Sequence, residues 1–463
     1  MRYVSTRGRA PVLPFEDAML TGLAADGGLY VPDAVPAFGR GDLAALAGKS
    51  YEEVAEAVMA PFMEGCELQS ELPGLIERAY AGFGHRLRCP LKQIAPSQWL
   101  LELHHGPTLA FKDVAMQLIG PMFETVLARR DERVTIVGAT SGDTGSAAIE
   151  AFLGNDRADV FILYPHGRVS EVQRRQMTTP DAPNVHAIAV EGDFDACQAL
   201  VKDMFADADF RYDTNLAAVN SINWARVLAQ VVYYVTSAIA LGAPDRKVAF
   251  SVPTGNFGDI YAGSIARRMG LPIERLIVAT NENDILHRAL TTGEYRRAEV
   301  VQTSAPSMDI QVSSNFERAI FDAHDRDGLA VGSLMEQVKS GGFTIPETQL
   351  ARLRETYVSA RVGEGEIAET IARLHDETGE VIDPHTAIGI HAAGQRPGDP
   401  AIPMVCLACA HAAKFPDAVE AACGIRPALP PRMADLYERE ERVTILPDDL
   451  AEVQAFIRRT RRP

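Results

Sequence analysis

Six short apolar runs, spaced along most of the chain, restrict its fold more than any other feature: 134–140 (VTIVGAT), 159–165 (DVFILYP), 185–192 (VHAIAVEG), 247–253 (KVAFSVP), 275–281 (RLIVATN) and 403–409 (PMVCLAC). Several are apolar at successive positions rather than at alternate ones. That pattern fits strands buried on both faces, and such strands belong to parallel sheets covered by helices. Segments of helical spacing separate the runs, so the expectation is an α/β architecture of parallel-rich sheets covered by helices. Residues 1–85 differ. LAALAG, YEEVAEAVMAPFM and LPGLIERAYAGF carry helical spacing with interleaved acids, the pattern of a small helical N-terminal domain.

Two of the runs end in glycine turns that lead into helical segments. The first continues as Ala139-Thr140-Ser141-Gly142-Asp143-Thr144-Gly145-Ser146, and the second lies within Ser251-Val252-Pro253-Thr254-Gly255-Asn256-Phe257-Gly258-Asp259. A strand, a glycine turn and a helix start together present free N–H groups and the positive end of a helix to an anion. Neither turn has the P-loop spacing, and neither has the G-x-G-x-x-G of a dinucleotide site. Taken singly, each is equally well read as a tight connection. The third feature is Lys112, in the run HHGPTLAFKD at 104–113. An amine between an apolar ring and an acid, just after a Gly-Pro turn, suits a buried nucleophile, although pairing with Asp113 alone is the commoner fate of such a lysine. Two anion-type loops and one such lysine fit a phosphate-bearing aldehyde cofactor, and pyridoxal 5'-phosphate is the one that forms a Schiff base with lysine.

The chain resembles the threonine synthases in their longer form, through stretches that run nearly end to end: YVSTRG, FEDAMLTGLAADGGLYVP, HGPTLAFKD, ATSGDTGSAA, NSINWARVLAQ, SVPTGNFGD, PSMDIQVSSNFER, DPHTA and LACAHAAKFP. The resemblance implies the pyridoxal-phosphate-dependent, tryptophan-synthase-β-like fold known as fold type II. It implies a catalytic region over 86–440 made of two α/β subdomains, a helical insertion at about 291–382, and a C-terminal tail at 441–463. It implies pyridoxal phosphate as cofactor and a reaction that turns O-phospho-L-homoserine and water into L-threonine and phosphate.

Carried over residue by residue, the resemblance makes Lys112 the cofactor-bonded, proton-moving amine, with Phe111 beside it. Gly255, Asn256, Phe257, Gly258 and Asp259 become the grip on the cofactor phosphate. Thr140, Ser141 and Thr144 meet the substrate carboxylate, and Asp143 lies near the ring hydroxyl. Ser221, Asn223 and Arg226, in the NSIN-x-x-R segment, reach the substrate phosphate; on a helix the last two share a face. Read without the family, that segment is more readily an N-capped helix with a surface arginine. Cys409 stands where the family usually has Thr or Ser against the pyridine nitrogen, and a thiol makes the weaker hydrogen bond. Lys414 is assigned to the substrate side, closing over the phosphate, with a solvated helix end as the alternative. Two other readings share many of these residues: a serine or threonine dehydratase, which has no use for a second anion site, and a non-catalytic pyridoxal-phosphate-binding homologue, which has no use for Lys112.

Composition narrows the partners. With 62 acidic against 45 basic residues, the formal charge of −17 argues against nucleic acid or an anionic membrane, so an anionic small molecule has to be drawn in by a local basic pocket. Six cysteines scattered over 463 residues point to free thiols in the cytoplasm rather than a disulfide framework. Cys406 and Cys409 form a C-x-x-C without a second ligand pair, so no metal is expected. His385, His391 and His411 fall in apolar surroundings and read as satisfied core histidines. The apolar run 227–243 is interrupted by Gln230, Tyr233 and Tyr234, which makes it a buried helix rather than a membrane span. A monomer and a homodimer fit the sequence equally.

Overall fold

The computed structural model of the chain describes residues 1–462. All six apolar runs form strands, divided between two sheets. The larger sheet has the order Tyr357–Arg361, Ile273–Thr280, Val248–Pro253, Met404–Ala408, Gln98–Glu102, Leu91–Ala95, parallel throughout except for the last pair. The smaller sheet, entirely parallel, runs Thr444–Pro447, Val185–Glu191, Ala158–Pro165, Val134–Ala139, Leu216–Ala217. Ala158–Pro165 and Val248–Pro253 are buried at every position, which is why their sequences are apolar without alternation.

The helices Lys112–Arg130 and Trp224–Ala240 form the centre of the molecule. In the second, fourteen of seventeen residues are buried, Gln230, Tyr233 and Tyr234 among them, so the interrupted apolar run is a core helix. No helix among the described residues is long and apolar enough to cross a membrane.

The N-terminal region pairs two short strands, Tyr3–Ser5 and Tyr30–Pro32, and adds four helices. The helix Tyr51–Met59 is fixed at its start by a capping box of Ser50 and Glu53. This region has no core of its own. Tyr3 and Phe62 close on the ring of Trp224, each at 6.0 Å between centroids, and the apolar cluster continues unbroken into the central helices. Ionic ties reinforce the packing: Arg7 meets Glu317 at 2.8 Å, and Thr6 Oγ1 donates to the same carboxylate at 2.6 Å. The guanidinium of Arg318, itself buried, donates to the carbonyls of Tyr30 at 2.8 Å and Ile222 at 2.6 Å.

Two segments depart from the sequence reading. Residues 291–382 are not purely helical, because Tyr357–Arg361 is the edge strand of the larger sheet and Glu294–Arg296 pairs with Gly342–Thr344. The segment returns to the main sheet rather than standing outside it. Residues 441–463, expected as a tail, add Thr444–Pro447 to the smaller sheet and the helix Leu450–Thr460, whose Val453 and Ile457 are fully buried with Cys197, Leu200 and Met204. Arg462 then reaches Asp159 at 2.7 Å. The physical reason is the apolar spacing of those residues, which needs a partner face.

Candidate active site

The two glycine turns follow strands of different sheets, at their carboxyl ends, where open α/β folds leave a crevice for ligands. Lys112 comes to the same crevice as the first residue of its helix, after a turn in which Leu109 takes a left-handed backbone, φ 64°. Asp113, next to it, is spent on that turn: its carboxylate accepts from the Thr108 amide at 2.8 Å and the Thr108 hydroxyl at 2.5 Å. The Lys112 amine is left for other partners. It lies 4.8 Å above the Phe111 ring and 3.3 Å from Asp143 Oδ2. Burial lowers its pKa, Asp143 raises it, and the cations of Lys414 and Arg226 lower it again, so the net direction is down.

Asp143 opens the helix Asp143–Ala151 and is locked from four sides. Lys414 Nζ is 3.0 Å from Oδ1, Gln173 Nε2 donates to Oδ1 at 2.9 Å, Lys112 contacts Oδ2, and Ser307 Oγ donates to Oδ2 at 3.4 Å. Burial would raise the carboxyl's pKa. Lys414, Lys112, His385 and the Gln173 bond outweigh it and hold the group well below the usual carboxylate range. Lys414 is fully buried and also donates to the Thr108 carbonyl at 2.7 Å and Gln176 Oε1 at 3.0 Å. Of the two places the sequence offered it, over a phosphate or on a solvated end, its burial rules out the second, and Asp143 is its counter-ion.

The second loop has a different character. A Cβ on Gly255 would come within 3.1 Å of the Ser307 carbonyl and 3.3 Å of Met308 Cα, and one on Gly258 within 3.2 Å of Asn315 Nδ2. Phe257, between them, holds a left-handed backbone at φ 65°, a conformation that costs a non-glycine residue on the order of 1 kcal/mol. The segment 307–315 clasps this loop: Ser313 Oγ donates to the Gly255 carbonyl at 2.6 Å and the Asn315 amide to the Asn256 carbonyl at 3.0 Å. Asp259 turns away from the glycines. Its Oδ1 accepts from the hydroxyls of Tyr233 at 2.5 Å and Tyr234 at 2.8 Å. Burial pushes its pKa up to about 6 against the lowering effect of the two tyrosines and Lys112. Arg226 is 4 % exposed, and its Nε and Nη1 are buried without a partner. Burial lowers this guanidinium to about 10, and a cationic fork that pairs with no carboxylate among the described residues is a site for an incoming anion.

One pocket gathers most of the residues that the sequence singled out: Phe111, Lys112, Asp143, Thr144, Ser221, Arg226, Gly255, Asn256, Phe257, Gly258, Asp259 and Cys409 all line it. Thr140, Ser141, Asn223 and Lys414 do not. Thr140 Oγ1 accepts from the amides of Gly142 and Gly145, each at 2.9 Å, and so shapes the turn. Asn223 is the N-cap of its helix: its Oδ1 accepts from Ala225 N at 3.0 Å, and its Nδ2 donates to the Met19 carbonyl at 2.7 Å. Its expected place beside Arg226 over a phosphate is thereby taken up by the backbone.

Ser307, Met308, Gln230, Thr254 and His385 line the pocket without having been singled out for it. Gln173, behind Asp143, also went unread. For Ser307 and His385 the only signal was membership of the PSMDIQ and DPHTA stretches. His391 and His411 are satisfied, through Thr370 and Glu366 and through the Ala413 amide respectively, whereas His385 leaves a ring nitrogen open. Cys406 and Cys409 are buried free thiols raised in pKa by burial, and no grouping of metal-ligating side chains exists among the described residues.

This donor set fits pyridoxal phosphate. The glycine cradle leaves room only for backbone at close approach, Lys112 is a buried amine of lowered pKa, and the cradle's helix start favours a dianion.

Comparison with known proteins gives the same reading. Residues 90–334 match the family of pyridoxal-phosphate dependent enzymes, residues 2–80 the threonine synthase N terminus and residues 386–457 the threonine synthase C-terminal region. A threonine synthase of Pseudomonas aeruginosa is 54% identical over 459 residues, covering 99% of this chain and 98% of its own. The crystal structure of the pyridoxal-phosphate-bound threonine synthase of Brucella melitensis superposes with a TM-score of 0.98 at 55% identity, each chain covered completely. That of Escherichia coli gives 0.83 at 31% identity, with 99% of both chains covered. With relatives this similar along its whole length, the chain belongs to the threonine synthase family of fold type II pyridoxal-phosphate enzymes.

Proposed function

We propose that the protein converts O-phospho-L-homoserine and water to L-threonine and phosphate. The observation that carries this reading is the pairing, in one pocket, of the buried Lys112 amine with two separate places for anions: the glycine cradle at 255–258 and the unpaired fork of Arg226. Pyridoxal phosphate, when bound, supplies an electron-withdrawing ring that stabilises negative charge on the substrate carbon attached to nitrogen. The chain's own residues do the rest. The cradle amides would hold the cofactor phosphate. Arg226 and Ser221 receive the substrate phosphate, and Thr144 with the turn of Thr140 and Ser141 receives the substrate carboxylate. Lys112 takes and returns protons at the substrate carbons, a role favoured by the lowering of its pKa through burial. Asp143 keeps a permanent negative charge beside that amine. Cys409 offers only a weak donor to the ring nitrogen.

Supplied with O-phospho-L-homoserine, the pyridoxal-phosphate-loaded protein is expected to release threonine and inorganic phosphate in equal amounts. Ammonia and a 2-oxo acid from serine or threonine, without phosphate release from O-phospho-L-homoserine, would instead make it a dehydratase.

A further inference from the structure

His385 is the one pocket-lining imidazole, and its environment is that of a proton-transfer group. It sits in the first turn of the helix Pro384–Gln395, 4 % exposed. Its Nδ1 lies 2.7 Å from Asp383 Oδ2, and Asp383 is itself immobile: fully buried, it caps the helix by accepting from the amides of His385 and Thr386 and is bound by the Thr386 hydroxyl. A carboxylate at that distance fixes the proton on Nδ1 and leaves Nε2 as the acceptor. Nε2 is buried and has no hydrogen-bond partner among the described residues. A buried, unpartnered nitrogen is costly to the fold unless something in the pocket uses it.

We infer that His385, oriented by Asp383, is the base that activates the water added to the substrate, a catalytic role separate from that of Lys112. The inference rests on the reaction proposed above. After phosphate departs and Lys112 has moved protons, the substrate carries a double bond between its α- and β-carbons. Nε2 takes a proton from a water molecule as the water's oxygen forms a bond to the β-carbon, and the π pair moves to the α-carbon. Lys112 delivers a proton there, and the imidazolium passes its own proton back to the lysine amine. The sum is H and OH of one water added across one double bond, with no change of oxidation state. Water that fails to reach the β-carbon leaves an enamine, which hydrolyses to ammonium and 2-oxobutanoate.

The test is the product ratio of His385→Gln, made in the full chain and loaded with pyridoxal phosphate, against the unaltered protein. The unaltered protein, giving threonine and phosphate one to one, checks the parent reading independently. In the variant, threonine formation should fall about 100-fold, the scale of a lost general base. Phosphate release should fall less, with 2-oxobutanoate and ammonium making up the difference. Asp383→Asn should shift the ratio in the same direction to a smaller extent, as expected of a positioning residue. Threonine and phosphate that stay one to one in His385→Gln, whatever the rate, would overturn the inference. Loss of cofactor from both variants would make His385 and Asp383 structural supports of the pocket and would equally overturn the inference.

Discussion

The two glycine turns have the same local grammar, strand then turn then helix, yet they are opposite electrostatic environments. At Asp143 a carboxylate is held ionised between two ammonium groups, whereas at Asp259 a buried carboxylate is hydrogen-bonded only by two tyrosine hydroxyls and is driven towards its neutral form. The distinction comes from residues far away in the chain. Lys414 and Gln173 supply the charge and the amide at the first; Tyr233 and Tyr234 supply the neutral donors at the second. A glycine turn therefore shows where an anion is welcome, and its tertiary neighbours decide whether a charge already lives there.

The largest effect belongs to the first turn's partner. Lys112→Ala should abolish threonine formation by at least about 1000-fold and leave cofactor that borohydride no longer fixes to the chain. Lys414→Met strips one of two cations from a buried carboxylate, and breaking a buried pair on one side costs about 3–5 kcal/mol. A chemical denaturation series would read that loss. In the same variant the remaining cation takes the whole field of Asp143, so the Lys112 amine should titrate at higher pH, measured as slower attachment of pyridoxal phosphate to the apoprotein at neutral pH.

At the second turn the sign reverses. A carboxyl raised from 3.8 to about 6 binds its proton more tightly when folded, so it contributes no penalty below the unfolded value. The penalty grows as pH rises through that window, and it is complete above the folded value, at about 1.4 kcal/mol per unit, or about 3 kcal/mol. Asp259→Asn should therefore match the parent apoprotein in stability at pH 4 and exceed it by up to about 3 kcal/mol at pH 8. A variant less stable than its parent at pH 8 would erase the contrast between the turns. Gly255→Ala should have the smallest effect, about 1–2 kcal/mol lost from cofactor affinity, because its Cβ meets backbone atoms at 3.1 and 3.3 Å that give way only slightly.

Much of this was legible in the sequence. The six apolar runs gave strands because fully buried strands leave no alternation to blur, whereas Leu91–Ala95 and Thr444–Pro447 escaped notice as half-exposed edges. Within the site, residues contiguous with the glycine turns and with Lys112 were found, since one turn brings them together. Polar residues were harder. Thr140 and Asn223 carry ligand-type groups that the backbone consumes, and nothing in their own neighbourhood says so. His385 has apolar neighbours in DPHTAIGI and reads as core, and its open Nε2 becomes evident only when the helix is docked against the pocket. Lys414 was equally opaque, because its counter-ion lies 271 positions upstream, at Asp143.

The Arg318 fork joins the carbonyl of Tyr30 to that of Ile222, four residues before Arg226, while Asn223 holds the Met19 carbonyl. The first eighty residues thus act as a mould for the stretch that aims the anion-seeking arginine. A shortened chain starting at residue 86 would keep Lys112 and both turns, yet would present that arginine on an unsupported, solvent-wetted helix start.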